Sequence, residues 1–198
     1  MFMSLVRKTQ RTAKGFFPGK GALRLLSVLA MLLVLGTPMG RGAPVSETEV
    51  KAAFLFNFAK FVTWPTQAFS SETAPIQLAV FGDEEITSTL KSLLSDKKAH
   101  GRSFEVKRIS TPQEAKNFQI VYITSTESRR TIQVLEATRK LPVLTVGESD
   151  QFLDLGGMIN FLFEESQLRF EINPEPAEKV KLEISSKLLR LGKKRSPK

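Results

Sequence analysis

The chain has 198 residues and a formal net charge of +9, a length that suits one domain of ordinary size. The positive charge is concentrated at the two ends of the chain: residues 1–42 hold seven basic and no acidic residues, and the last six residues hold four more basic ones. The middle of the chain is therefore not a basic domain of the kind that binds nucleic acid. The absence of cysteine excludes disulfides and thiolate metal sites.

The first 42 residues have the three-part layout of a secretory signal peptide. Basic residues precede the apolar run 25–35, and small residues then lead to Ala43. This run of eleven residues is too short to span a membrane, which takes about 20 apolar residues. The sequence therefore predicts export to the periplasm with cleavage near residues 40–45, and an uncleaved N-terminal anchor is the alternative.

The mature chain begins with a predicted helix. Ser46 and Glu49 form a capping-box pattern, and the helix is expected to run to about Val62. Residues at helical spacing predict its apolar face, namely Val50, Ala53, Phe54, Phe58 and Phe61. Phe56 lies outside this stripe and Trp64 lies at the helix end. Both aromatics are candidates for a partner contact or, alternatively, for packing against the following strand.

Short β-branched and aromatic runs then alternate with amphipathic helical stretches. Strands are predicted at 76–81, 103–109, 118–123 and 142–146. Helices are predicted at 83–94 and 126–139, with a short helix after Pro112 and with Ile132 and Leu135 facing inward. The alternation predicts an α/β three-layer sandwich, with a mainly parallel sheet and crossover helices of Rossmann-like or flavodoxin-like type.

The pattern changes after Gly156 and Gly157. Two strands, at 158–163 and 168–172, surround a tight polar turn and predict an antiparallel hairpin at the sheet edge. Asn160, which lies among apolar residues, is expected to be a core amide with its hydrogen bonds satisfied.

A last helical region is predicted through Ala177 and again over 185–191. The single domain is expected to span 46–191, and residues 192–198 are expected to form a disordered basic tail.

The residues that catalysis or metal binding requires are scarce. His100 is the only histidine and lies in a polar turn, so a histidine-based triad or a zinc site lacks its ligands. The turn at Gly82 carries one glycine and three carboxylates, which would repel a phosphate. We therefore expect no catalytic residue, no metal and no cofactor, and an exported hydrolase using carboxylates is the least favoured alternative.

Two pairs of charged residues near the end of the domain share a side of their elements. Arg169 and Glu171 lie two apart on one predicted strand, and Lys187 and Arg190 lie three apart on the last helix. These residues form either a solvated set of salt bridges or a polar patch that docks a partner or ligand.

Three stretches together resemble the YfiR-like family of bacterial periplasmic proteins. They are 50–65, 156–161 and the segment from Arg169 to Asn173 with its continuation over 184–191. They occur in the family's order and bracket nearly the whole mature chain. The best-known relative has disulfide-forming cysteines, so a redox-gated mechanism is not expected for this cysteine-free chain.

The resemblance implies a non-enzymatic regulator that binds the periplasmic sensor domain of an inner-membrane diguanylate cyclase, or another envelope sensor, and lowers cyclic-di-GMP signalling. It also implies a homodimer, and peripheral contact with a membrane is compatible with it. The alternative function is a module that binds a small ligand or a cell-wall fragment and feeds an envelope sensor.

Overall fold

The computed structural model describes residues 46–124, 127–164 and 167–194. The predicted signal peptide and its cleavage site lie outside the described residues, as do positions 195–198 of the predicted tail. Within the described residues, no helix is both long and apolar enough to cross a membrane.

The described residues form five α-helices and nine strands. The helices are α1 (Glu47–Phe61), α2 (Glu84–Leu94), α3 (Ser128–Thr138), α4 (Pro174–Lys179) and α5 (Ser186–Leu191). The strands are β1 (Val62–Thr63), β2 (Ile76–Phe81), β3 (Phe104–Ile109), β4 (Ile120–Ile123), β5 (Leu144–Gly147), β6 (Ile159–Glu164), β7 (Gln167–Ile172), β8 (Glu183–Ile184) and β9 (Lys193–Lys194).

Seven of these strands form one sheet in the order β3-β2-β4-β5-β6-β7-β9. All neighbours are parallel except β6 and β7, which form the antiparallel hairpin. This arrangement confirms the predicted α/β class, the mainly parallel sheet and the hairpin. A separate two-stranded ladder joins β1 to β8 and was not predicted, because two-residue strands leave no periodic signal.

Alternating side chains divide the core between the two faces of the sheet. On β2, Leu78 and Val80 join the buried cluster that includes residues of α1, α2 and α5. Ala79 and Phe81 join the second cluster, which includes Val134 of α3. The sheet therefore lies between two helical layers, as a three-layer sandwich requires.

Helix α1 begins with the predicted capping box, in which the Ser46 amide donates to Glu49 at 2.8 Å and Ser46 accepts from the Glu49 amide at 3.1 Å. The predicted apolar face is partly wrong. Ala53 is exposed, whereas Ala52 and Leu55 are buried. The buried stripe is centred on Ala52, Leu55, Phe58 and Ala59, and Phe54 packs at its border against Phe161 and Phe170 of the sheet.

The boundary of the predicted tail is also corrected. Lys193 and Lys194 form β9, which pairs in parallel with β7. At Gly192 an added Cβ would lie 2.8 Å from side-chain atoms of Phe170 and Ile172, so the chain passes close to the core there. A short basic segment looks like a tail in sequence because its partners, on β7, are distant along the chain.

Candidate interaction surface

The β6-β7 hairpin has one face in the core and one open face. Phe161 and Phe170 point to the core, where their ring centroids lie 5.7 and 5.1 Å from that of Phe58. The opposite side chains belong to neither of the two buried apolar clusters. We call them, with the adjacent lysine of β9, the open face: Asn160, Leu162, Glu164, Arg169, Glu171 and Lys193.

The strand register aligns part of the open face in one row. Asn160 lies opposite Gly147 on one side and Glu171 on the other, and Glu171 in turn lies opposite Lys193. Gly147 must be glycine, because an added Cβ would lie 2.3 Å from the ring of Phe152. The Phe152 ring therefore covers the sheet at the inner end of the row.

Ion pairs join the charged side chains of the open face. The Lys193 ammonium donates to Glu164 at 2.6 Å, and Arg169 lies 3.9 Å from the same carboxylate. The hydrogen bond with Lys193 lowers the pKa of Glu164, and the same bond raises the pKa of Lys193. Because these groups are exposed, the pairs contribute little to folding and remain available to a partner.

The prediction that Asn160 is a core amide with its hydrogen bonds satisfied is wrong in part. Its side chain is buried, but Oδ1 has no hydrogen-bond partner among the described residues. A buried acceptor without a donor costs about 1–3 kcal/mol. Because Oδ1 is enclosed, the acceptor of this row that a partner can reach is the half-buried carboxylate of Glu171.

Two exposed apolar side chains lie beside the hairpin, on the α1 side of the sheet. Phe163, which alternates with Leu162 and Glu164 along β6, is 57% exposed, and Leu191 of α5 is 64% exposed. Leu191 lines a cleft of about 560 Å³ with Phe54, Leu168 and Phe170, and Glu164, Arg169 and Lys193 also line it. Apolar side chains surrounded by polar and charged groups are typical of protein interaction surfaces.

The two aromatic candidates from the sequence lie elsewhere. Phe56 is half-buried on α1, where its ring packs edge-on against Phe104 at 5.8 Å and Lys60 lies 5.4 Å from its centroid. Trp64 is buried, and its indole N–H donates to the carbonyl of Gln119 at 3.1 Å. Phe56 is therefore partly exposed, whereas Trp64 packs against the sheet, as the alternative prediction allowed.

The two charged pairs are not brought together. Arg169 and Glu171 lie on the open face, but α5 packs on the opposite side of the sheet through Leu188. Lys187 and Arg190 are exposed there, and the Lys187 ammonium lies 5.2 Å from the ring centroid of Phe61. They form a separate basic patch on the α1 side.

No pattern in the sequence indicates a second charged cluster, which lies at the carboxyl ends of β4 and β5. Lys51 is buried on α1 and contacts Glu148, and its ammonium lies 2.7 Å from Glu47. The Tyr122 hydroxyl donates to the same Glu148 oxygen at 3.2 Å. We call these four residues the carboxyl-edge network. Their separation along the chain hides the cluster, and only the fold assembles it.

His100 is exposed, but its side chain also contacts the backbone. Its Nε2 lies 3.0 Å from the carbonyl oxygens of both Ala59 and Val62, so it caps the C-terminal end of α1. Across residues 46–124, 127–164 and 167–194, no group of three or more histidine or acidic side chains could hold a metal ion.

The sequence profile of the family described as YfiR/HmsC-like matches residues 48–193. No curated protein gives a significant match to the chain. Because the profile covers most of the chain, including every strand of the sheet up to the start of β9, the chain belongs to the YfiR/HmsC-like family.

Proposed function

We propose that this YfiR/HmsC-like protein is a periplasmic regulator that binds the sensor domain of an inner-membrane diguanylate cyclase and holds the cyclase inactive. Its output is a lower level of cyclic-di-GMP and less biofilm. It acts by contact and without catalysis, after export by its N-terminal signal peptide. Family membership supports the regulatory role and the periplasmic location.

The observation that carries the proposal is the hairpin, which presents charged side chains on its open face and exposed apolar side chains on its other side. Exposed ion pairs join Glu164, Arg169 and Lys193. Phe163 and Leu191, on the α1 side, supply apolar area that loses water on docking. A partner that reaches over the end of the hairpin would gain specificity from the charges and affinity from the two apolar side chains.

The basic patch of Lys187 and Arg190 serves a second contact, different from that of the open face. It lies on the other side of the sheet from the open face, so it can serve a different contact. We assign it, with the exposed edge of Phe56, to the interface of a homodimer or to the surface of the membrane. Either role leaves the open face accessible to the sensor domain.

The test compares a gene deletion complemented with wild-type protein, with Arg169→Glu or with Lys98→Glu. Lys98 is an exposed lysine far along the chain from the open face and serves as the matched control. Deletion should raise cyclic-di-GMP, and wild type and Lys98→Glu should restore the low level. Arg169→Glu should leave the level high although the protein accumulates normally in the periplasm.

A photocrosslinking amino acid at position 163 identifies the partner directly. It should capture a membrane cyclase, whereas the same group at position 98 should not. Unchanged cyclic-di-GMP after deletion, together with no cyclase captured from position 163, would refute the proposed function.

A further inference from the structure

A cleft of about 700 Å³ in the described part of the chain is separate from the open face. It lies near the amino ends of β5 and β6, between the last turns of α3 and helix α4. Its volume falls within the range of about 300–1,000 Å³ that is usual for small-molecule sites. None of its lining residues belongs to the open face or to the carboxyl-edge network.

The lining of this cleft is mixed, with aliphatic side chains beside polar and charged ones. Leu135, Leu155, Met158 and Val180 line it, together with Ile132. The sequence placed Ile132 in the core, but the residue is 36% exposed and borders the cleft instead. Leu135 and Met158 are already buried, so an apolar ligand body would cover the partly exposed Ile132, Leu155 and Val180.

Two buried hydroxyls also line the cleft, and that of Thr138 donates within α3 to the carbonyl of Val134 at 3.0 Å. Thr145 is 2% exposed, and its Oγ1 accepts from the amide of Met158 at 3.2 Å. A threonine hydroxyl can accept and donate at once, so its proton is the group that Thr145 can offer to a ligand. A ligand with an acceptor near its inner end would use that proton.

Charged side chains of both signs line the cleft. Arg139 and Lys140 follow α3 directly and are exposed, and neither forms an ion pair with the described part of the chain. Lys179 lies on the α4 side and pairs with Glu175 at 2.7 Å, and the lining also includes Glu136 and Asp154. Arg139 and Lys140 are therefore the cations of the lining that an anionic ligand could use.

We propose that this cleft binds a small amphipathic anion, with an apolar body against the aliphatic lining and a carboxylate or phosphate head at Arg139 and Lys140. A purely polar ligand would leave the aliphatic surface uncovered, and a neutral apolar one would leave the two cations unused. The inference is independent of the proposed function, because it needs no partner protein.

The test uses mature protein purified from the periplasm and three probes: decanoate, decyl phosphate and the neutral decanol. Calorimetric titration and melting temperature measure binding, since a ligand of the native state raises the melting temperature by mass action. Decanoate or decyl phosphate should bind well below the concentration at which decanol does, and inorganic phosphate alone should not bind. The stronger of the two anionic probes identifies the head group.

Two variants locate the site. Arg139→Gln with Lys140→Gln should weaken binding of the anionic probe about tenfold, which corresponds to about 1.4 kcal/mol, and the matched pair Lys97→Gln with Lys98→Gln should not. Ile132→Trp, at a partly exposed position, should block the cleft while circular dichroism remains native. Equal binding of decanol and decanoate, no binding of either anion, or undiminished binding by both variants would overturn the proposal.

Discussion

The carboxyl-edge network and the open face use the same kinds of side chain in opposite surroundings. In the network, the ammonium of Lys51 is buried and contacts two carboxylates, one of which also accepts from Tyr122. On the open face, Glu164, Arg169 and Lys193 form exposed pairs. A buried charge becomes costly as soon as it loses a partner, whereas water replaces the partner of an exposed charge.

The pKa of Lys51 shows how closely the buried charges are balanced. Burial alone would lower that pKa, but the hydrogen bonds and charges of Glu148 and Glu47 outweigh burial and raise it. Lys51 therefore stays charged and ties the first turns of α1 to the end of β5. We infer that the network stabilises the fold and that the open face is kept for recognition.

The largest effect on stability should follow from Glu148→Ala. The substitution removes the shared partner of Lys51 and Tyr122 and leaves a buried ammonium with Glu47 alone. We expect the free energy of unfolding to fall by about 3 kcal/mol, as for other broken buried pairs. Urea denaturation measures the change.

Glu72→Ala is the matched control, because Glu72 is an exposed glutamate. It should change the free energy of unfolding by less than about 0.5 kcal/mol. If Glu148→Ala lowered the free energy of unfolding no more than Glu72→Ala does, the carboxyl-edge network would not stabilise the fold as proposed.

A smaller loss should follow from Gly147→Ala, at the junction of the two regions. Gly147 precedes Glu148 and lies opposite Asn160 of the open face. The new Cβ would overlap the ring of Phe152, and overpacking of this kind costs about 1–3 kcal/mol. Adding Phe152→Leu should recover part of the loss in thermal unfolding. Full additivity of the two substitutions would contradict a direct clash.

The sequence predicts the elements of the sheet well because each is a local pattern. Strand β2 occupies the predicted residues 76–81, and the Ser46 capping box starts α1 as expected. Both signals depend on residues within a few positions of one another.

The sequence could not predict contacts between distant residues. Lys51 meets Glu148 across 97 positions, and Lys193 meets Glu164 across 29. Likewise, the unpaired Oδ1 of Asn160 depends on what surrounds the strand and not on the apolar residues beside it in the chain. Of the predicted site, the sequence placed Arg169 and Glu171 on one side of a strand, but it could not show that Lys187 and Arg190 lie across the sheet.

At alkaline pH, the ionisation of one side chain should weaken the carboxyl-edge network. Tyr122 is the only tyrosine, and burial, followed by the charge and hydrogen bond of Glu148, raises its pKa above the ordinary 10.0. Above about pH 10 the unfolded chain loses this proton and the folded chain keeps it, so stability should fall by about 1.4 kcal/mol per pH unit. Below pH 10 the group should have no such effect.

Ultraviolet difference absorbance of the phenolate tests this directly. In urea, Tyr122 should ionise near its ordinary pKa, whereas in the native protein it should ionise only as the fold is lost. Tyr122→Phe should reduce the fall in the free energy of unfolding above pH 10. The raised pKa of Lys51 causes a further fall in the same direction, and this variant retains that part. Native ionisation near pH 10 would contradict the buried network.

The smallest effect on stability should come from the open face, where the effect on binding should be largest. Exchanging the charges in Arg169→Glu with Glu171→Arg keeps the composition and alters only exposed or half-buried side chains. Because exposed pairs contribute about 0–1 kcal/mol, urea denaturation should show little change. Crosslinking to the sensor domain should nevertheless fall sharply, since the order of charges that the partner meets is reversed. If this variant lost stability but still bound its partner, the open face would stabilise the fold and would not be the recognition surface.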